Sequence, residues 1–334
     1  MPSSAPIPAE QLRLSVAPMM DWTDTHCRNF HRLLAPHARL YTEMVHANAV
    51  IHGDRTKLLA LDASQHPVAL QLGGSEPALL AQAARIGADH GFDEINLNCG
   101  CPSDRVQAGR FGACLMREPA LVADCVAAMI HAAPSTPVTV KCRLGVDDDH
   151  EWAHFLAFID TIASAGCGMF VIHARNAWLK GLSPKENREV PPLRYDWAYR
   201  LKRERPQLQV IVNGGIADFT EAGTHLDHAD GAMLGRAAYH DPYLLHSLDA
   251  AWFDGDTRSR GDLLRSWQAY VESQLERGAS LKHMTRHILG LFHGERGGRA
   301  FRQILSEGAH RPGADWSLIE QALAVTDAQR ERAA

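Results

Sequence analysis

The sequence predicts an α/β protein, a closed (β/α)8 TIM barrel followed by a C-terminal all-helical domain. Eight short apolar segments alternate with helical stretches across residues 14–235, and each segment ends in a polar or glycine-containing turn. No Gly-x-Gly-x-x-Gly pattern follows the first segment, which disfavours the rival open, doubly wound sheet. Near residues 254–262 the composition changes to small and charged residues, which predicts a domain boundary. We therefore expect a barrel over 1–250 and a helical domain over 260–334.

The predicted strands are short apolar runs, of the kind that a parallel sheet buries on both faces. Helical stretches lie between them, so that each strand can return parallel to the one before it. The eight runs are Leu14 to Met19, Leu40 to Val45, Val68 to Gly73, Glu94 to Asn98, Val138 to Arg143, Met169 to His173, Val210 to Gly214 and Gly231 to Gly235.

Composition narrows the class of protein. The 334 residues are 46% hydrophobic, enough for a sizeable core without disulfides. Seven cysteines show no disulfide framework or Cys-x-x-Cys pair, which indicates reduced thiols, a cytoplasmic location and no metal site. The amino terminus lacks the pattern of a signal peptide, and no apolar run is long enough to cross a membrane. We expect a monomer; the net charge of -5 argues only weakly against a nucleic-acid partner.

Polar residues collect where the predicted strands end. In a barrel of this type the functional residues lie at the carboxyl ends of the strands, so these positions predict a ligand site. Reading each strand end gives Pro18, Met19 and Met20, then Gln71, Asn98 with Cys101, Lys141, His173, Asn213 with Gly214 and Gly215, and Gly235 with Arg236.

The segment 94–116 contains the most distinctive strand end. Ile95 and Leu97 alternate with two asparagines, which predicts a half-buried strand, and Gly100 and Pro102 then hold Cys101 in a turn. A thiol at a strand end can meet a small planar substrate, but a buried, inert thiol is an equally good interpretation. Cys99 lies two residues away, so the sequence leaves open which sulfur a labelling reagent would find.

Two further strand ends carry ionisable side chains. Lys141, inside an otherwise apolar strand, either meets an anion at the barrel mouth or extends its amine to solvent. His173 is either a ligand contact or a neutral core histidine. A fixed cation such as Lys141 would stabilise negative charge on a bound ligand.

The last two strand ends predict a phosphate site. Asn213, Gly214 and Gly215 follow strand seven, and Gly235 and Arg236 follow strand eight. Barrels often bind phosphate at these two turns with backbone amides and a helix amino terminus. Glycine lets the backbone approach the oxygens, and an arginine adds two hydrogen bonds and a charge.

The block Asn-Leu-Asn-x-Gly-Cys-Pro-Ser-x-Arg-Val, followed by Gly-x-Phe-Gly-Ala-x-Leu-Met, resembles the signature of the tRNA-dihydrouridine synthases, most closely their A-type branch. The resemblance extends along most of the chain. It implies an oxidoreductase that reduces uridine to 5,6-dihydrouridine at positions 20 and 20a in the D-loop of tRNA, with bound flavin mononucleotide (FMN) and with NADPH as electron donor. It assigns proton donation to Cys101, a contact with the target nucleotide to Asn98, and FMN binding to Pro18, Met19, Met20, Gln71, Lys141, His173, Asn213, Gly214, Gly215, Gly235 and Arg236.

Two basic regions suit a tRNA partner. The long loop 176–192 mixes Trp178 with cations, which suits a polyanion with stackable bases as well as it suits a solvated loop. Basic residues also gather between Arg277 and Arg311, which on composition alone indicates a solvated face. The family resemblance implies that Lys185 and Arg188 in the loop, and Arg299 and Arg302 in the helical domain, contact tRNA.

The leading hypothesis is therefore hydride delivery from reduced FMN to C6 of the uracil and proton donation from Cys101 to C5. A free thiol is mostly protonated at neutral pH, and no base adjacent in sequence would make Cys101 a nucleophile. The alternatives are an FMN barrel that reduces a small enone or pyrimidine, and an RNA-binding protein with an inactive barrel. His283 and His287 have metal-ligand spacing but lack the His-Glu-x-x-His pattern, so we expect no metal there.

Overall fold

The computed structural model describes residues 3–331, which form two compact units. The first unit consists of residues 3–21 and 38–235, and the second of residues 22–37 and 236–331. The predicted roles, an FMN-binding barrel over 1–250 and a tRNA-binding helical domain over 260–334, stay predictions. Residues 1–2 and 332–334 of those ranges lie outside the described residues.

The first unit is a nearly closed barrel of parallel strands flanked by helices, as the sequence predicted. Its strands are β1 (Leu14–Val16), β2 (Leu40–Tyr41), β3 (Val45–His46), β4 (Val68–Gly73), β5 (Glu94–Cys99), β6 (Val138–Cys142), β7 (Met169–His173), β8 (Gln209–Asn213) and β9 (Gly231–Leu234). They pair in the order β1-β9-β8-β7-β6-β5-β4-β2, and β3 also pairs with β4. A parallel bridge between Ser15 and Arg39 joins β1 to β2, where the Arg39 N–H donates to the Leu14 carbonyl at 2.9 Å.

The second predicted strand, Leu40 to Val45, is wrong as a single element because it is divided into β2 and β3. Between them, the Thr42 N–H donates to the Ala69 carbonyl at 2.9 Å, and the Thr42 hydroxyl accepts from the Gln71 N–H at 3.1 Å. A side-chain oxygen thus replaces a backbone carbonyl in the ladder with β4, which interrupts the strand.

Strand β5 is buried on both faces, so the predicted half-buried strand is wrong. Alternate side chains of a strand share a face, and Glu94, Asn96 and Asn98 all hydrogen-bond to side chains of other strands. Buried polar groups that have such partners follow the same sequence pattern as solvent-facing ones. The alternation was therefore correct, and its interpretation as exposure was not.

The barrel interior is polar on one side and apolar on the other. A hydrogen-bonded set of polar side chains comes from β4, β5 and β6, whereas an apolar cluster fills another part of the interior and includes residues of β7, β8 and β9. The cluster contains Ile7, Leu12, Ala17, Tyr41, Ala69, Met169, Val171, Ile211 and Met233, each at most 6% exposed.

The helices of the first unit cover the outer face of the strands. In α4 a Cβ added at Gly87 would lie 2.6 Å from Leu70 Cδ2 and 2.8 Å from Ile95 Cδ1, so the glycine allows a close approach to β4 and β5. With the first helix in the second unit numbered α1 (Thr25–Leu34), these helices are α2 (Ala47–His52), α3 (Arg55–Leu58), α4 (Pro77–Asp89), α5 (Asp104–Ala108), α6 (Pro119–Ala132), α7 (Trp152–Ser164), α8 (Tyr195–Glu204) and α9 (Phe219–Leu226).

The second unit is helical in its described residues. The Asp24 carboxylate caps α1 by accepting from the Cys27 N–H at 2.9 Å, and Phe30 of that helix packs against Trp267 with ring centroids 5.0 Å apart. Besides α1, its helices are α10 (Arg236–His240), α11 (Tyr243–Trp252), α12 (Arg260–Arg265), α13 (Gln268–Glu276), α14 (Leu281–Thr285), α15 (Gly298–Gly308) and α16 (Trp316–Glu331).

The helices predicted in this unit are shorter in the structure. The predicted helix Leu263 to Gly278 is broken between α12 and α13. The predicted helix Leu281 to Phe292 ends at Thr285, so both predictions are wrong in extent. A Cβ at Gly290 would lie 2.3 Å from the His240 carbonyl oxygen, so tight packing replaces regular helix there. A third helix from about Arg299 is confirmed, because α15 begins at Gly298.

No helix within the described range 3–331 has both the length and the apolar character needed to cross a membrane. Over the same range, no group of three or more His, Cys, Asp and Glu side chains is arranged to hold a metal ion.

Candidate active site at the carboxyl end of the barrel

Cys101 lies in a turn just beyond the carboxyl end of β5. The Asn98 side-chain oxygen accepts from the Gly100 N–H at 3.1 Å and from the Cys101 N–H at 3.0 Å. The Cys101 carbonyl in turn accepts from the Ala113 N–H at 2.9 Å, next to Gly112, whose φ of 76° favours glycine. Cys101 is therefore held by its backbone on both sides, while its thiol is half-buried and contacts the Ser103 hydroxyl at 3.6 Å.

Of the two neighbouring thiols, only Cys101 is accessible. Cys99 is 0% exposed, and burial raises its pKa well above the usual value, so its sulfur stays protonated and shielded. Alternate residues of a strand face opposite ways, which places Cys99 on the outer, helix-covered face of β5. A labelling reagent should find Cys101 first.

Lys141 lies at the carboxyl end of β6, beside Asn98 in the register of β5 and β6. Its amine donates to the Asn213 side-chain oxygen at 2.8 Å. Burial, together with the neighbouring Arg143, lowers the pKa of Lys141 to about 7. The amine does not extend into solvent, which was the alternative interpretation, because Lys141 is only 9% exposed.

His173 lies beside Asn213 in the register of β7 and β8. Burial and then the positive charges of Arg143, Lys141, Arg175 and Arg188 lower the pKa of His173 well below its usual value. The ring is therefore neutral at pH 7. Within residues 3–331, its buried Nε2 has no hydrogen-bond partner. A cationic surrounding and an unpartnered ring nitrogen together fit an anionic, hydrogen-bonding ligand.

Arg143 connects the cysteine turn to the long loop 176–192. Its guanidinium donates to the Gly100 carbonyl at 3.2 Å, to the Asn176 carbonyl at 3.3 Å and to the Asn187 carbonyl at 2.9 Å. Burial lowers the pKa of Arg143 to about 9, with smaller contributions from Arg188 and Arg175. Sequence reasoning noted this residue only as a strand end and gave it no role. The signal for its role was a second cation two residues after Lys141.

The predicted phosphate turn after β8 has a backbone that glycine favours. Gly214 and Gly215 have φ values of 109° and 74°, and a Cβ at Gly214 would lie 2.7 Å from the His173 ring. Gly235 follows β9, and a Cβ built there would meet no atom within 4 Å in the described part of the chain. Arg236 begins α10 and belongs to the second unit.

The other predicted cofactor residues lie at two further strand ends. Gln71 of β4 is 1% exposed and bonded to both asparagines of β5. Pro18 and Met19 follow β1 and are half-buried, whereas Met20 is 55% exposed. The structure therefore brings Gln71, Lys141, His173 and Asn213 together through register and hydrogen bonds. The 18–20 segment follows β1, which pairs with β9.

The long loop 176–192 is organised by the buried side chain of Asn187. It accepts from the Trp178 N–H at 2.7 Å and donates to the carbonyls of Trp178 and Leu182 at 2.9 and 3.1 Å. Lys185 and Arg188, predicted to contact tRNA, flank it and are exposed. Gln107 joins this loop to the cysteine turn by donating to the carbonyls of Pro102 and Leu179, both at 2.8 Å. Sequence reasoning missed Asn187 and Gln107, which carry no recognisable motif.

In the second unit, Arg299 and Arg302 are exposed on α15, three residues apart and so on neighbouring positions of one face. His287, weighed as a metal ligand, is 0% exposed, and its Nε2 donates to Asp24 at 3.0 Å. A buried histidine bonded to a helix-capping carboxylate has a structural role.

Known proteins resemble this chain over nearly its whole length. A family model described as "Dihydrouridine synthase (Dus)" matches residues 15–330. A tRNA-dihydrouridine(20/20a) synthase of Xanthomonas campestris pv. campestris is 73% identical over 98% of this chain and 97% of its own. One of Xylella fastidiosa (strain 9a5c) is 64% identical over 96% and 95%. Among solved structures, morphinone reductase is 13% identical, with a TM-score of 0.49 over 74% of this chain and 87% of that one.

Proposed function

Because the chain belongs to the dihydrouridine synthase family, we propose that it reduces uridine to 5,6-dihydrouridine at positions 20 and 20a of tRNA. Relatives at 73% and 64% identity carry that name, and the matches cover the barrel and the helical unit alike. The observation that carries the proposal is the placement of an accessible thiol, Cys101, at the same barrel end as the buried cations around His173.

The cofactor in this proposal is FMN, and the residues at the barrel mouth fit it. An anionic cofactor would offset the crowded positive charges of Lys141, Arg143 and Arg175, which nearby cations and burial now make costly. Its phosphate would be held by the glycine turns at Gly214, Gly215 and Gly235 with Arg236, as predicted. Gln71, Asn213 and the unpartnered Nε2 of His173 supply hydrogen-bonding groups for the ring, with Pro18, Met19 and Met20 beside it.

When bound and reduced by NADPH, FMN would supply the hydride for C6 of the uracil. The protein then supplies the proton. The half-buried thiol of Cys101 donates it to C5, and the backbone bonds to Asn98 hold that thiol in place. The remaining N–H of the Asn98 amide can contact the target base.

Recognition of tRNA in this proposal relies on exposed cations. Lys185 and Arg188 lie in the loop that Arg143 and Gln107 join to the cysteine turn, so phosphate contacts there would act directly on the site. Arg299 and Arg302 offer two charges on one face of α15. The target base must leave its stack, at a cost of a few kcal/mol that these contacts would offset. We place the reaction in the cytoplasm, with the protein acting as a monomer.

The proposal is tested by the absorbance of the purified protein, followed in one cuvette by anaerobic NADPH and then unmodified tRNA. We expect flavin bands that bleach with NADPH and return with tRNA, with dihydrouridine at positions 20 and 20a in the product. A colourless protein that binds no added FMN would refute the cofactor assignment. Reoxidation by a free enone but never by tRNA would favour the small-molecule reductase instead.

A further inference from the structure

A continuous chain of buried side-chain hydrogen bonds crosses the barrel interior, from an ion pair at the amino end to the turn that holds Cys101. It joins residues of β5 to residues of β4 and β6, and every member is at most 9% exposed. Its members, in order from the amino end, are Glu94, Thr139, Asn96, Gln71 and Asn98.

The chain begins at a carboxylate that can only accept hydrogen bonds. Glu94 pairs with the guanidinium of Arg39 at 3.2 Å and accepts from the Tyr41 hydroxyl at 2.9 Å. The Thr139 hydroxyl also donates to Glu94. Since a hydroxyl has one proton, the Thr139 oxygen can then act only as an acceptor towards its other neighbour.

That constraint sets the orientation of three amides in turn. Asn96 must present its NH2 group to Thr139, which it does at 2.7 Å, so its oxygen faces Gln71 and accepts at 2.8 Å. The Gln71 oxygen consequently faces Asn98, whose NH2 group donates to it at 2.8 Å. Reversing any one amide would set acceptor against acceptor and donor against donor, with the penalty of unsatisfied buried groups.

The chain ends at the backbone of Cys101. With its NH2 group turned to Gln71, Asn98 has only its oxygen to present to the turn, and that oxygen accepts from both Gly100 and Cys101. A reversed Asn98 would direct N–H groups at these two N–H donors and open the turn. The direction fixed at Glu94 therefore reaches the residue that carries the thiol.

We propose that this directional chain positions Cys101 and the Gln71 amide for catalysis, with Thr139 and Asn96 as positioning residues that touch neither substrate nor cofactor. The catalytic part of the inference rests on the proposed function, whereas the geometric part does not. The other side of the interior is filled by apolar residues such as Val171 and Ile211, so the fold itself does not require a polar interior. The polar side chains lie instead along the path whose hydrogen-bond direction determines how Asn98 holds the Cys101 turn at the carboxyl end.

The test compares Thr139→Val with Thr139→Ser. Valine has nearly the shape of threonine but lacks the hydroxyl, so Asn96 loses its acceptor and the amides lose their fixed direction. Serine keeps the hydroxyl and should restore the chain. Thr139→Ala, which removes the hydroxyl without adding a methyl, serves if the valine variant does not fold. Thr326→Val is the matched control, because Thr326 is also a buried hydroxyl, bonded to the Ala322 carbonyl in α16.

The first readout is the rate at which iodoacetamide alkylates Cys101, resolved by peptide mass spectrometry, with the half-buried Cys114 as the reference in the same molecule. We expect a change of at least about threefold in Thr139→Val relative to Cys114, and a wild-type ratio in Thr139→Ser and Thr326→Val. The second readout is the dihydrouridine assay, in which we expect kcat about tenfold lower in Thr139→Val with KM for tRNA within about twofold, since the exposed tRNA cations are unchanged.

The proposal is overturned if Thr139→Val and Thr326→Val lose similar stability in urea and both keep the wild-type Cys101 alkylation ratio. It is also overturned if Thr139→Ser behaves like the valine variant, because size rather than the hydroxyl would then decide the result. If the wild-type protein reduces no uridine, the proposed function fails, yet the alkylation ratios still decide whether the hydrogen-bond chain positions Cys101.

Discussion

Among the described residues, the buried charges at the two ends of the barrel interior differ in whether they have a partner of opposite charge. At the amino end, the Glu94 carboxylate is paired with Arg39 and receives hydrogen bonds from Tyr41 and Thr139. At the carboxyl end, burial and then neighbouring arginines lower the pKa of Lys141 to about 7 and that of Arg143 to about 9. The same strands supply both ends, so strand formation does not explain the difference.

The comparison separates charges that hold the architecture from charges that await a ligand. In a buried ion pair the two charges balance each other within the fold, whereas a cluster of buried cations costs free energy until an anion arrives. Stability should therefore depend mainly on the charges at the amino end, and cofactor binding on the charges at the carboxyl end. The following changes test that division, from the largest expected effect to the smallest.

Removing the thiol at the carboxyl end should stop the reaction without harming the fold. We expect Cys101→Ala to form dihydrouridine about 10²–10⁴-fold more slowly, the usual contribution of a general acid. Flavin binding and bleaching by NADPH should persist, as measured by absorbance. Product formation is measured by dihydrouridine analysis of tRNA. Cys99→Ala, at the shielded sulfur, should keep activity; a normal product yield from Cys101→Ala would exclude that thiol from the reaction.

Breaking the ion pair at the amino end should lower stability, in addition to any effect on the hydrogen-bond chain that begins at Glu94. Glu94→Gln leaves Arg39 buried without its counter-charge, and we expect the free energy of unfolding in urea to fall by about 3–5 kcal/mol. Glu204→Gln is the control, because its pair with Arg200 is exposed and should contribute under about 1 kcal/mol. Equal losses in the two variants would contradict the division between the ends.

The reverse behaviour is expected of Lys141→Met. Removing the buried cation removes its desolvation cost but also removes its hydrogen bond to Asn213. Because these two effects oppose each other, the unfolding free energy of the cofactor-free protein should change by less than about 1 kcal/mol. The Kd for FMN, measured by fluorescence quenching, should rise about 10–100-fold, as for a lost charge-assisted hydrogen bond. Lys202→Met, at a partly exposed pair with Asp230, should leave FMN affinity unchanged.

The lowered pKa of Lys141 predicts a proton linked to cofactor binding. With a pKa of about 7, the amine is largely neutral at pH 8.5, and an anionic ligand beside it raises that pKa. The protein should therefore take up nearly one proton for each FMN bound at pH 8.5 and much less than one at pH 6. Calorimetry in buffers of different ionisation enthalpy measures the uptake, and the difference should vanish in Lys141→Met. Equal proton uptake by the wild-type protein and by Lys141→Met would show that a group other than Lys141 binds the proton.

The smallest effect concerns charges outside the barrel interior. Arg299 is exposed on α15, where solvent and salt screen it, so it should contribute about one released counterion to tRNA binding. We expect Arg299→Ala to reduce the slope of log K against log salt by about 1 in filter-binding assays. Arg85→Ala, at an exposed position of α4, is the control. A common slope for the three proteins would remove Arg299 from the tRNA interface.

The sequence determined the barrel and the end at which the candidate site lies. Short apolar runs separated by helices predict parallel strands, and residues such as Gln71, Lys141 and Asn213 follow from reading the strand ends. The glycine turn at Gly214 and Gly215 was visible as well, because positive φ angles select glycine. These features are local: period, composition and turn chemistry decide them within a few residues.

Only the tertiary structure decided which polar residues face each other. The bond from Asn96 to Thr139 spans 43 positions and that from Lys141 to Asn213 spans 72, so both depend on the register between strands. The half-buried interpretation of β5 failed for this reason, since burial depends on what neighbouring strands supply. The helix ending at Thr285 is similar, because close packing at Gly290 overrides local helix propensity. Long-range pairing therefore assigns structural roles to residues that short-range patterns cannot distinguish.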